Sequence, residues 1–188
     1  YTTLFRSRMN TKPTIKGMFV NSHIAAVKKK LGLDGIEKLE KLYGKSIKFD
    51  NNEDVRVLDE VRIIEYALDL TSDTLIPEEK RVYEAGRLHF SNFSGTTFAK
   101  MAFPMFKNNF KTMMLRMSFI AQHIFKGVKF TSTELEDKKI EVIMENNDYP
   151  IDHFRGLFQA WMDSAGLKGT VTSHEDEDDK FIFILDWT

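Results

Sequence analysis

Five histidines and no cysteine bound the chemistry open to this chain of 188 residues. The histidines are His23, His89, His123, His153 and His174. None belongs to an HExxH motif and no two stand at metal-ligand spacing, so spacing alone predicts no metal site. The absence of cysteine removes disulfides, thiolate metal sites and thiol nucleophiles together. Neither GxGxxG nor GxxxxGKS/T occurs, nor GxSxG, which excludes the common phosphate loops and the serine nucleophile elbow. The carboxylates are scattered and suggest no acid–base pair, so an enzyme is the last-ranked class. His89 and His123 lie on or beside the most apolar segments. A histidine there either bonds a backbone group in the core or serves as an axial haem ligand; the core role is the default.

The other chemistry-bearing feature is apolar. Residues 98–125 read FAKMAFPMFKNNFKTMMLRMSFIAQHIF, and five of the nine methionines crowd into residues 101–117. Phenylalanines interleave with them. Such a run packs a core, or it walls a deformable apolar pocket, a use to which methionine is suited. The expected site for a small apolar ligand is Phe110, Met113, Met114, Met117 and Trp161, with His89 or His123 as a polar contact. The acidic run at residues 175–179 lacks calcium-loop spacing and reads as a solvated turn. Lys28, Lys29 and Lys30 suit the negative end of a helix.

The elements that must position these residues follow from periodicity. Residues 15–20 (IKGMFV) read as a strand or a lead-in, with Asn21 or Ser22 as a helix cap. Ile24, Val27 and Leu31 then recur at helical spacing up to Gly32. A second helix runs from Asp34 to Gly44, a third over residues 53–70, and a fourth starts at Pro77. The run at residues 98–125 is apolar on more than one face, which predicts a buried helix, kinked or divided at Pro104 and closed by Lys126 and Gly127. The period then changes to two. Val128 and Phe130 begin a strand, residues 136–139 turn, and Ile140, Val142 and Met144 alternate in a second strand. A helix from Pro150 to Gly166 and two strands at residues 170–175 and 181–187 complete a β-β-α-β-β unit. Helices segregated from an antiparallel sheet make an α+β domain.

With 42% hydrophobic and 29% charged residues, a packed core is expected. A net charge of −1 gives no reason to expect nucleic acid as a partner. No apolar run approaches the roughly 20 residues of a membrane span. A cytoplasmic setting is therefore expected. Residues 1–7, YTTLFRS, match the in-frame translation of the end of a standard short-read sequencing adapter. Residues 1–8 are accordingly expected to be a non-native leader, and residues 9–188 one ligand-binding-like domain.

The layout, with the phrases IKGMFVNSHIAAVKKKLG and FIFILDW, Gly86 in the fourth helix and the terminal Trp187, resembles a group of small ligand-binding domains. They are the haem-nitric-oxide-binding domains, the vinyl-reductase-type domains and an uncharacterised paralogous family best represented in myxobacteria. The resemblance spans nearly the whole chain. It implies a cavity between helices and sheet, used for sensing or binding. The haem-nitric-oxide-binding domains hold haem propionates with a Tyr-x-Ser-x-Arg motif that this chain lacks, so no haem cofactor is expected. The vinyl-reductase-type domains often carry cysteines near the C-terminus, absent here. Two alternatives stand beside this reading: an interaction or homodimerisation module without ligand, and a haem-binding gas sensor signalling to a partner.

Overall fold

The computed structural model describes residues 12–105, 109–176 and 180–188. The expected leader at residues 1–8, and residues 177–179 of the acidic turn, lie outside them. Strand β1 (Thr14–Lys16) runs directly into helix α1 (Gly17–Tyr43). The helix thus starts four residues before the expected Asn21 cap. No side chain caps it; a distant loop does. The Gly17 N–H donates to the Glu53 carbonyl at 2.8 Å and the Met18 N–H to that of Asn51 at 3.0 Å. Such a cap satisfies the orphan donors of the first turn without leaving a local signal. At Gly32 the backbone takes φ 69° and ψ −154°, a combination essentially restricted to glycine. The expected break is thus present: two helical segments meet at a kink at Gly32, and helix resumes beyond it. Gly44, left-handed at φ 75°, ends it.

Strand β2 (Asp54–Arg56) pairs antiparallel with β1, Val55 opposite Ile15. Residues expected to open the third helix are thus held in a sheet, and helix α2 (Val57–Thr71) begins after them. Helix α3 (Glu78–Ser94) starts behind Pro77, as its sequence predicts. The apolar run is not one buried helix. It forms α4 (Thr97–Met105), α5 (Phe110–Leu115) and α6 (Met117–Ala121). Asn109 caps α5, its side-chain oxygen accepting from the Thr112 N–H at 2.9 Å. Arg116, at φ −104° and ψ 16°, breaks α5 from α6. Several apolar faces therefore belong to several helices, and Met101, Met105 and Phe119 remain exposed. Strand β3 (Phe125–Lys126) follows, where a helix end was expected, and pairs with β1 to complete a small sheet of order β2-β1-β3.

The C-terminal half realises the expected β-β-α-β-β unit: β4 (Lys129–Glu136), β5 (Lys139–Glu145), α7 (Ile151–Ser164), β6 (Gly169–Glu175) and β7 (Phe181–Trp187). The sheet is antiparallel with order β4-β5-β7-β6. The expected turn at residues 136–139 tightens to Asp137 and Lys138, because Glu136 and Lys139 already pair. Ile140, Val142 and Met144 of β5 and Phe183 and Leu185 of β7 point into the core, where Phe158 of α7 meets Phe183 edge-on at 5.2 Å. The architecture is α+β, as the change of period implies.

On its other side α7 meets α3 with almost no side chain between the two backbones. A Cβ on Gly86 would stand 1.8 Å from the His153 carbonyl oxygen, and one on Gly156 would stand 2.0 Å from that of Tyr83. Only glycine fits at either position. This reciprocal contact sets the distance between the helices that carry the site.

Candidate functional site

Polar residues are scarce in this core, and those present converge. His23 of α1, Glu60 of α2, His89 of α3 and His153 of α7 are all buried. Each takes a position on the inward stripe of its helix. Glu60 lies between Val57, Val61 and Ile64, and His153 lies one turn before Leu157. His23 Nε2 is 3.1 Å from Glu60 Oε1, and His89 Nε2 is 3.7 Å from the same oxygen. The hydroxyl of buried Tyr149, just before α7, donates to Glu60 Oε2. The Asn92 side-chain amide meets His23 Nδ1 at 3.0 Å. His89 Nδ1 and His153 Nε2 stand 2.9 Å apart. His153 Nδ1 is buried without a hydrogen-bond partner.

Burial governs the electrostatics. It lowers the pKa of His23 to about 3 and that of His89 to about 4, the latter against the pull of Glu60. His153 is also held well below the ordinary imidazole range, by burial and then by the neighbouring rings. The three rings are therefore neutral near pH 7. Burial raises the Glu60 carboxyl, opposed by His89 and the Tyr149 hydrogen bond. It also raises the Tyr149 phenol, which stays protonated and serves as a donor. Neutral imidazoles and a carboxyl are ligands for a borderline metal ion. Among the described residues, only His23, Glu60 and His89 bring three such donor atoms together, all within 4.8 Å of one another.

Beside this cluster, between α3, α6, α7 and the sheet, lies a cavity of about 30 Å³. Its walls include Phe93, Met117, Ile120, Phe130, Leu157 and Trp161, and among the described residues His89 is the one polar residue lining it. Trp161 stacks on Phe90 at 5.4 Å.

The residues singled out by sequence divide accordingly. His89, Met117 and Trp161 come together at this cavity. Phe110 sits elsewhere, edge-on to Trp187 at 5.4 Å, beside an open cavity of about 360 Å³ lined also by Lys111 and Asp137. Met113 and Met114 are buried away from both. His123 is exposed, its Nδ1 2.8 Å from the Phe119 carbonyl. Spacing did not reveal His23, Glu60, Tyr149 or His153, because His23 and Glu60 are 37 residues apart and His89 and His153 are 64 apart. The signal available was an ionisable residue interrupting an apolar helical stripe.

Comparison with known proteins places this geometry. A family described as "Protein of unknown function (DUF2378)" matches residues 8–188. No curated protein sequence matches the chain. Among solved structures, an oxygen-binding H-NOX domain related to soluble guanylate cyclases aligns with TM-score 0.62 and 17% identity, covering 92% of this chain and 95% of that one. A structure concerned with H-NOX activation gives 0.64 and 17%, covering 92% and 96%. An unliganded Fe(II) H-NOX mutant from K. algicida gives 0.59 and 14%, with the same coverage. At such identities the likeness is one of fold.

One neighbouring structure concerns haem distortion in the H-NOX family, so haem must be tested against these residues. The fit is poor. Small-molecule sites typically offer about 300–1,000 Å³, ten times or more the volume beside His89. Among the described residues, no lysine or arginine lines the cavity to hold a propionate. On β4, Ser132 stands between Phe130 and Glu134, and that glutamate is already paired with Lys111 at 2.8 Å.

Proposed function

The chain belongs to the DUF2378 family and carries the H-NOX fold, and from that premise we propose that it is a sensory domain that binds a small apolar molecule without haem. The observation that carries this reading is the apolar cavity, to which His89, among the described residues, contributes the one polar wall. A structural neighbour is an oxygen-binding domain in its oxygen complex, which supports a small diatomic guest. A cavity of about 30 Å³ suits a molecule of a few atoms as it stands. A larger guest needs Met117 to change shape, for which its unbranched side chain is fit. No described helix is long and apolar enough to cross a membrane, and the net charge of −1 favours neither nucleic acid nor an anionic surface. A cytoplasmic setting agrees with these features.

The test is a panel of gases and small hydrophobic molecules mixed with purified protein. At least one should raise the melting temperature, through its preference for the folded state. A flat response, with no endogenous ligand in native mass spectra, overturns the reading. A Soret band on reconstitution that disappears in His89→Ala would restore haem. A second reading, self-association of two copies, is favoured by Met101 and Met105, which are 63% and 71% exposed. Light scattering behind a sizing column decides it: a strict monomer rules it out.

A further inference from the structure

We infer that His23, Glu60 and His89 form a site for one divalent first-row transition ion of the zinc or ferrous kind. The inference stands apart from the apolar-ligand reading, although His89 belongs to both places. Two imidazoles and one carboxylate are a recurrent donor set for catalytic zinc and non-haem iron. Zinc bonds of 2.0–2.1 Å in a tetrahedron put the donor atoms about 3.3–3.4 Å apart. Here Glu60 Oε1 stands 3.1 Å from His23 Nε2 and 3.7 Å from His89 Nε2. The shorter separation is a hydrogen bond and the longer one exceeds hydrogen-bond reach, so shifts of a few tenths of an ångström make both into ligand edges.

The outer shell of such a site is also in place. A ligating histidine ordinarily anchors its second nitrogen, and a ligating carboxylate its second oxygen. His89 Nδ1 is anchored by His153, His23 Nδ1 by Asn92, and Glu60 Oε2 by the Tyr149 hydroxyl. An ion on His23 Nε2 puts the proton on Nδ1. The Asn92 amide then turns to present its oxygen, a reorientation within the same side chain. Among the described residues, no lysine or arginine pairs with the buried Glu60 carboxyl. A divalent ion supplies the missing positive charge.

The experiment uses the full chain without a histidine tag, stripped by chelator and titrated with Co²⁺. Visible ligand-field absorption should rise to saturation at one ion per chain and fall on adding Zn²⁺, and both ions should raise the melting temperature. Glu60→Gln and His89→Gln should lose the absorption, and Asn92→Ala should weaken binding by about 10–100-fold. Should the ligand variants fail to fold, X-ray absorption on the zinc-loaded parent decides, with two imidazoles and a carboxylate expected in its coordination shell. Absorption that never appears, that persists in folded Glu60→Gln and His89→Gln, or a shell without imidazole would overturn the site. Any of these results leaves the apolar-ligand reading to its own test.

Discussion

Replacing Gly86 by alanine tests the contact on which the site's geometry depends. Alanine is the better helix former, and in an exposed helix the change stabilises by about 1 kcal/mol. Here the new Cβ would meet the His153 carbonyl oxygen at 1.8 Å, its carbon at 2.7 Å and the Leu157 nitrogen at 3.0 Å. Such contacts do not fall below 3.0 Å in real proteins, so α3 and α7 must part by about an ångström. The obstacle is helical backbone and cannot rotate aside. Overpacking of this kind costs about 1–3 kcal/mol. The same movement stretches the 2.9 Å link between His89 and His153 past hydrogen-bonding range. Leaving a buried ring nitrogen unsatisfied costs about 1–3 kcal/mol more. With the propensity gain set against both, Gly86→Ala should lose about 1–5 kcal/mol, roughly 10 °C in melting temperature at mid-range for a domain of this size. Urea unfolding followed by circular dichroism should show a lower midpoint at constant slope. Gly156→Ala should act alike, and the double variant should lose less than the sum, since helices already parted accept the second methyl. A raised midpoint in Gly86→Ala would show that propensity decides, and the close approach of the helices would be refuted.

Three further outcomes follow from other parts of the molecule. Gly32→Ala should destabilise by about 1–3 kcal/mol through backbone conformation alone, because nothing lies within 4 Å of the added Cβ; calorimetry showing no loss would contradict the kink. Leu157→Ala should cost about 2–5 kcal/mol and enlarge the apolar cavity, and the protein should then bind xenon or benzene, as dry cavities do; xenon NMR without a bound signal would count against an apolar cavity at this place. In metal-free protein, Glu60→Leu should cost about 1–3 kcal/mol for each of His23 and Tyr149 left without its acceptor. Adding Tyr149→Phe should recover part of that loss in denaturant titrations, and simple additivity would show that the hydroxyl does not depend on Glu60.

Periodicity carried the C-terminal half because there the local pattern and the tertiary demand coincide. Val142 and Met144 alternate on β5 because one face of the sheet is buried, and a one-residue slip would turn every such residue to solvent. The N-terminal half was harder for a physical reason. The start of α1 is satisfied by the carbonyls of Asn51 and Glu53, more than thirty residues downstream. Residues 54–56 are strand because β1 lies beside them. The apolar run misled in a different way. Apolarity on every face has two causes, one helix buried all round or several short helices each burying its own face. Within the run the local signal of a new helix is Asn109, which caps α5, whereas Pro104 lies inside α4.

The candidate site was half visible for a related reason. Apolar walls advertise themselves by composition, so Met117 and Trp161, which line the cavity, were singled out together with residues that pack elsewhere. A buried polar cluster distributes its members one to a helix. Each then looks like an isolated defect: His23 in α1, Glu60 in α2, His89 in α3, His153 in α7. Taken singly, a buried glutamate is a destabilising error, because desolvating a carboxyl costs several kcal/mol unless it is paired. Four such errors on four apolar stripes are not independent, since each removes part of the cost of the others. The fold keeps them together by omitting side chains at Gly86 and Gly156, where bulk would separate α3 from α7. A core selected for stability alone would fill those positions with alanine or leucine and the cluster with apolar residues. That this core does neither is the physical ground for treating the cluster, beside the cavity, as a candidate functional site.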